Sequence, residues 1–353
     1  MAKSVFKGVR IRGVAGAVPS GKVDNLTDHR FCTADERKKI VALTKVAGYR
    51  KARMGMTASD LCQSAAESLL EGLGTNPEDV DAIVFATMTP DYRVPSTACL
   101  LQARLRCRTT MVAYDVNMGC SGYIVGLYNA CALIQGAGLK RVLLLAGDTQ
   151  TKLCHDQDKN VVFLLGDGGT ATLLEADPTA EDIVIELLTD GSRFNNLYVP
   201  AGGFRCQSTE STRLVREQAD GGVRSDENLY MNGMEIFKFS ATDVVKSIAE
   251  FMEAERIAPT DVGALFLHQA NGFMNEKISR KLKVPDARVP YTIGFYGNTG
   301  SASIPLTMAH HFSTAGKPTA QRAVLSGFGV GLSWGVATTV LDGVYSPPVV
   351  ELE

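Results

Sequence analysis

Hydrophobic positions along the chain follow two alternating periods. Short apolar runs at residues 81–89 (DAIVFATMT), 111–117, 141–150 (RVLLLAGDTQ), 168–176 (GGTATLLEA), 264–268, 323–327 and 332–341 read as buried strands. Between them lie stretches with helical spacing. Residues 57–73 carry Leu61, Ala65 and Leu69 on one face behind a Thr57 or Ser59 cap, and 95–105 opens at Pro95–Ser96. Further helices are predicted at 33–46, 235–255, 273–282 and 301–314, and residues 4–18 read as short strands and turns. Strands alternating with helices predict stacked α/β layers with buried, mostly parallel sheets. Each half closes in a similar run, GGTATLL at 168–174 and GVATTVL at 335–341, which suggests an internal duplication. Residues 190–227, rich in Gly and polar side chains, break the pattern as a long excursion. Such a loop is either functional or a plain surface excursion.

One break in the pattern carries chemistry. The apolar strand in 114–123 (YDVNMGCSGY) stops at Gly119, and a helix follows through Ile124, Leu127, Ala130 and Ile134. Cys120 is thereby expected at a helix N-terminus, where unpaired N–H groups favour a thiolate. Its small neighbours Gly119, Ser121 and Gly122 would let a substrate carbonyl approach. The alternative is a buried structural cysteine.

Composition narrows the class without naming a reaction. The 353 residues leave room for two domains or one duplicated domain. A net charge of −2 gives no sign of nucleic-acid binding. No apolar run is long enough to span a membrane, and the opening residues lack a signal-peptide core. The eight cysteines include no CxxC pair, so neither a zinc site nor a dithiol motif is expected, and a reducing, cytoplasmic setting is.

Three further motifs stand beside Cys120. An apolar strand ends in His268 and Asn271 (LFLHQAN, 265–271), at the strand end where α/β proteins place sites. A glycine-flanked Asn298 opens a helix (GNTGSAS, 297–303). Alternating glycines in 327–335 (GFGVGLSWG) bring a backbone close to something or simply make a turn. Taken singly, these read as a core histidine, a helix cap and a turn.

Together, in this order, the four motifs resemble the ketosynthase III family of the thiolase superfamily, the β-ketoacyl-acyl-carrier-protein synthase III type. Val94-Pro95-Ser96, the GDGG at 166–169 and the MNGMEIFK at 231–238 extend the resemblance over nearly the whole chain. It implies an α/β, thiolase-like five-layered αβαβα fold built from two duplicated halves. The halves are expected at 1–178, carrying the nucleophile, and 231–353, carrying His and Asn, with 179–230 as linker. It further implies a homodimer and a Cys-His-Asn triad of Cys120, His268 and Asn298. The backbone N–H groups of Cys120 and Val330 match the oxyanion hole. A thiolate suits attack on a thioester, and imidazole plus amide donors suit the enolate left by decarboxylation of a malonyl thioester. The implied partners are an acyl carrier protein and acyl thioesters, with no metal and no cofactor beyond acyl-coenzyme A or acyl-carrier-protein substrates.

Departures from the family pattern concern the substrate path, expected at Asn271, Lys159, Val94 and Phe273. The tryptophan that stacks the coenzyme A adenine is replaced by Ala42, and the flanking arginine by Lys159. Gly272 and Phe273 replace an arginine after HQAN. Val94 replaces a gating aromatic, and Val330 the middle glycine of the last motif. Coenzyme A is therefore expected to be a modest donor. Competing readings are acyl transfer to oxygen or nitrogen and a non-catalytic partner subunit, which would show a degraded triad. The motifs and disulfides of papain-like proteases are absent.

Overall fold

The computed structural model describes residues 2–29, 31–316 and 321–353. The longer elements are β1 (Ala2–Phe6), β2 (Val9–Pro19), α1 (Ala34–Thr44), α2 (Ala58–Leu73), β3 (Ala82–Ala86), α3 (Thr97–Arg104), β4 (Val112–Val116) and α4 (Gly122–Ala137). They continue with β5 (Arg141–Asp148), β6 (Gly168–Ala176), β7 (Ile183–Thr189), α5 (Val245–Ala254), β8 (Ala264–Leu267), α6 (Gly272–Leu282), α7 (Ser303–Ala315), β9 (Gln321–Gly329), β10 (Ser333–Leu341) and β11 (Val350–Leu352).

Beside three two-stranded sheets among the described residues, two large sheets result, ordered β11-β2-β6-β5-β3-β4 and β1-β7-β10-β9-β8. Helices α4 and α7 pack between them, and their residues Tyr123, Ile124, Leu127, Ile304 and Met308 share one buried core with both sheets. Helices α2 and α3 cover the outer face of the first sheet, and α5 and α6 that of the second. The outcome is five layers, αβαβα. It follows from sequence locally: α2 is amphipathic, opens with a Thr57–Asp60 capping box and stops at Gly74 in the left-handed region, φ 64°. Among the described residues no helix is long and apolar enough to cross a membrane.

The sheets are less parallel than the strand–helix alternation predicts. In the second sheet only β8–β9 is parallel, while β1–β7, β7–β10 and β10–β9 run antiparallel. The short β9–β10 turn can join only antiparallel neighbours. The stretch read as short strands at 4–18 is two strands belonging to different sheets, and β11 returns to pair with β2. Strand β7, unforeseen in the sequence, lies inside 179–230. The excursion after it holds one short hairpin, Arg216–Glu217 with Val223–Arg224, and is closed at its ends by Leu197–Tyr198 pairing with Tyr230–Met231. It is tied down by Arg224, buried between Asp158 and Asp220 and laid over Tyr230.

Candidate active site

Cys120 occupies the turn between β4 and α4, which begins two residues later at Gly122. Cys120 as a whole residue is 6% exposed. Burial pushes its thiol up to about 12; N–H donation from the Val330 backbone opposes this, the charge of Asp148 adds to it, and N–H donation from Cys120 itself opposes it. The thiolate expected from the helix terminus is thus not the resting state, because desolvation outweighs the helix end. The small neighbours do not open the site either. A Cβ at Gly119 would lie 2.9 Å from Met88 Sδ, and one at Gly122 would lie 3.2 Å from Ser301 Cβ. Ser121 is buried with its hydroxyl 2.6 Å from that of Ser333. These residues are small so that the turn can seat against its neighbours.

The alternating glycines of β9 do bring backbone close. A Cβ at Gly327 would lie 2.9 Å from the Cys120 carbonyl oxygen, and one at Gly329 would lie 2.7 Å from Cys120 Sγ. The next residue, Val330, then directs its N–H at the sulfur. The same segment reaches the histidine, because the Phe328 ring meets His268 edge-on at 5.5 Å between centroids.

His268 follows β8 and is 1% exposed. Burial pulls the imidazole down to about 3, only partly opposed by the nearby Gly300 backbone. The ring is therefore neutral throughout the physiological range. Its Nδ1 lies 2.6 Å from the Ser303 hydroxyl, which can donate or accept, so either ring nitrogen can carry the proton. Asn298 sits on the loop before α7 and is 8% exposed. Its Oδ1 accepts the Gly300 N–H at 3.0 Å, and its backbone oxygen accepts the Gly166 N–H at 2.8 Å and a bond from the Gln150 amide. That orientation leaves Nδ2 as the donor the amide can offer.

The remaining candidates spread along the approach. Asn271 caps α6, its Oδ1 accepting the Met274 N–H at 2.8 Å. Phe273 stacks on Phe237 at 5.7 Å, with the Lys277 ammonium over its ring. Lys159 is exposed, near the Glu36 carboxylate of α1 and 3.8 Å from where a Cβ on Gly221 would stand. Ala42 is exposed on α1. Val94 is 82% exposed. The only tryptophan, Trp334, is buried in the second sheet, donating to Ser247 Oγ at 3.0 Å. Sequence reasoning missed Met88, Asp148, Gln150, Ser301 and Ser303. The one signal available was an aspartate closing the apolar run at 141–148.

The chain is similar to known proteins over most of its length. Residues 114–191 match the family described as 3-oxoacyl-[acyl-carrier-protein] synthase III, and residues 252–340 match its C-terminal counterpart. A putative 3-oxoacyl-[acyl-carrier-protein] synthase 3 of Campylobacter jejuni is 32% identical over 98% of this chain and 97% of that protein. A β-ketoacyl-[acyl-carrier-protein] synthase III of Clostridium perfringens is 33% identical over 79% of this chain and 83% of that one. The crystal structure of a 3-oxoacyl-(acyl-carrier protein) synthase from Burkholderia xenovorans superposes with a TM-score of 0.92 at 36% identity, covering 99% of each chain.

Proposed function

The chain belongs to the 3-oxoacyl-[acyl-carrier-protein] synthase III, or ketosynthase III, family, and from that premise we propose that Cys120, His268 and Asn298 carry out a two-step acyl condensation. It is a condensing enzyme of the acyltransferase class. In the first step the Cys120 sulfur attacks an acyl thioester carbonyl. Because the resting group is a thiol, its proton must leave as the sulfur attacks, and neutral His268 relays it to the departing thiolate without holding it. The tetrahedral intermediate collapses to acyl-Cys120, and the departing thiolate takes the proton back. The family resemblance assigns His268 to the enolate, and burial of the thiol adds this proton relay to its role.

In the second step a malonyl thioester, carried by acyl carrier protein, loses carbon dioxide. The electron pair of the broken C–C bond becomes an enolate, whose oxygen accepts from His268 N–H and Asn298 Nδ2. The enolate carbon attacks the acyl-Cys120 carbonyl. The N–H groups of Cys120 and Val330 hold the resulting oxyanion, and collapse frees the β-ketoacyl thioester and the Cys120 thiolate, which takes a proton from solvent to return to the resting thiol. The observation that carries this reading is the closeness of β9 to the nucleophile: a Cβ at Gly329 would lie 2.7 Å from Cys120 Sγ, so the backbone that carries the Val330 N–H runs beside the sulfur. The complete triad argues against a non-catalytic partner subunit.

For the donor, carrier protein is favoured over coenzyme A. Exposed Ala42 offers no ring to an adenine, and the Lys159 ammonium does not stack as a guanidinium does. Asn271 keeps only its Nδ2 for a pantetheine-like chain, and Phe273 already packs on Phe237. A homodimer is supported by β4, which ends the first sheet with Val112 exposed and a free pairing edge, and by exposed Val94, which suits an approach to a partner's acyl site. Eight cysteines, none paired, suit the cytoplasm.

The test is a panel of acyl groups presented on coenzyme A and on carrier protein, with intact-mass detection and peptide mapping. The adduct should map to Cys120 and form faster from carrier protein. Acylation persisting in Cys120→Ser, or mapping to Cys154 or Cys206, removes the assignment. A clear preference for acetyl-coenzyme A removes the donor reading.

A further inference from the structure

Asp148, the last residue of β5, is fully buried, and all five of its bonded partners are neutral donors. Oδ1 accepts the Met88 N–H at 2.8 Å and the hydroxyls of Thr87 at 3.2 Å and Thr89 at 3.4 Å. Oδ2 accepts both the N–H and the hydroxyl of Ser301, each at 2.8 Å. Burial raises the carboxyl to about 6 in spite of these bonds. A buried carboxylate without a cation is costly to keep, so what it holds in place matters.

It holds two loops that end at the chemistry. One is 87–89, whose Met88 sulfur backs Gly119, beside the nucleophile. The other is 298–301. There Gly300 gives its N–H to Asn298 Oδ1, and its backbone lies near the His268 ring. Gly300 has φ +60°, and a Cβ on it would lie 2.4 Å from Asp148 Oδ2, so this glycine and the carboxylate fit only each other. Ser301 in turn packs against Gly122, at the start of α4. One side chain thus touches the supports of Asn298 and of the turn that carries Cys120.

We propose that Asp148 is a positioning residue for condensation, clamping loop 298–301 against loop 87–89 so that Asn298 faces the acylated Cys120, while His268 is held separately by the Ser303 hydroxyl. This rests on the triad assignment above. Asp148→Asn keeps an acceptor for Met88 but turns an NH2 toward the Ser301 N–H, which releases loop 298–301. Cys120 stays fixed by β9, so self-acylation is retained while condensation fails.

The experiment measures both half-reactions separately, by intact mass and by product formation, in wild type, Asp148→Asn, Ser301→Ala, Asn298→Ala and the Asp148→Asn/Asn298→Ala double variant. Asp148→Asn should lose condensation by about 10²-fold, the cost of an ångström-scale misplacement. Its self-acylation should stay within about twofold, the scatter of independent sites. The double variant should condense no worse than Asn298→Ala alone, since Asp148 acts through that amide. Ser301→Ala, which keeps the charge and the N–H bond, should lose about fivefold in condensation only, as one hydrogen bond allows; it decides the matter if Asp148→Asn does not fold. Equal loss of both half-reactions, additive effects in the double variant, or wild-type condensation in Ser301→Ala overturns the proposal. If wild-type Cys120 itself is never acylated, the triad reading falls first and takes this one with it.

Discussion

Replacing Gly329 by alanine tests the geometry on which acylation depends. The added Cβ would lie 2.6 Å from Cys120 Cβ and 2.7 Å from its Sγ. Ordinary contact is about 3.5–4.0 Å, so the overlap is on the order of 1 Å. Neither neighbour is a flexible chain end: Cys120 lies in the turn into α4, and its carbonyl packs against the position of Gly327. Relief therefore moves the sulfur away from the Val330 N–H or pushes β9 outward, and either displaces the nucleophile from its donors. A displacement of that size costs about 10²-fold in rate, and overpacking costs about 1–3 kcal/mol of stability. The assay is a single-turnover intact-mass time course of Cys120 acylation, with thermal melting alongside. Gly136→Ala, on the same helix α4 with open space around it, should leave both unchanged or melt slightly higher. Acylation of Gly329→Ala at the wild-type rate would refute the placement of the sulfur under β9.

The other predictions are shorter. Asn298→Ala should keep self-acylation and lose condensation, whereas His268→Ala should slow acylation and lose condensation more; identical profiles for the two variants would contradict the separate proton-transfer role of the imidazole. His268 has a folded value near 3 against 6.5 unfolded, so the unfolded chain binds the extra proton between those values and stability falls on acidification. The stability difference between wild type and His268→Asn should accordingly drop by about 2 kcal/mol from pH 7 to pH 5, and a flat difference in denaturant titrations would show that the ring is not held neutral. Asp148, raised above its unfolded value, acts in the opposite direction in both proteins and cancels in that comparison. Sedimentation at micromolar concentration should show a dimer; an active monomer would remove the role given to Val94 and the β4 edge.

Much of the site was legible in the sequence because its signals are local. The apolar run 264–268 reads as a strand ending at His268, and β8 runs over Ala264–Leu267 directly before it. A strand broken by glycine before a helical face put Cys120 in the turn into α4, and the spacing of Leu61, Ala65 and Leu69 fixed the buried face of α2. Such patterns are written within one or two turns of chain, so they survive without knowledge of partners. What the tertiary structure alone decided depends on residues far apart in sequence. β1 and β2, two residues apart, enter different sheets because Ala2–Phe6 pairs with Ile183–Leu187 while Val9–Ala17 pairs with Gly169–Ala176. Thiol chemistry at Cys120 is set by burial beneath β9, more than 200 positions away, which reverses the effect of the helix end. Asp148 looked like the end of one more apolar strand until Met88 and Ser301 were brought to its two oxygens. Sheet partners, desolvation and the donors around a buried charge are properties of the packed molecule, and no local pattern encodes them.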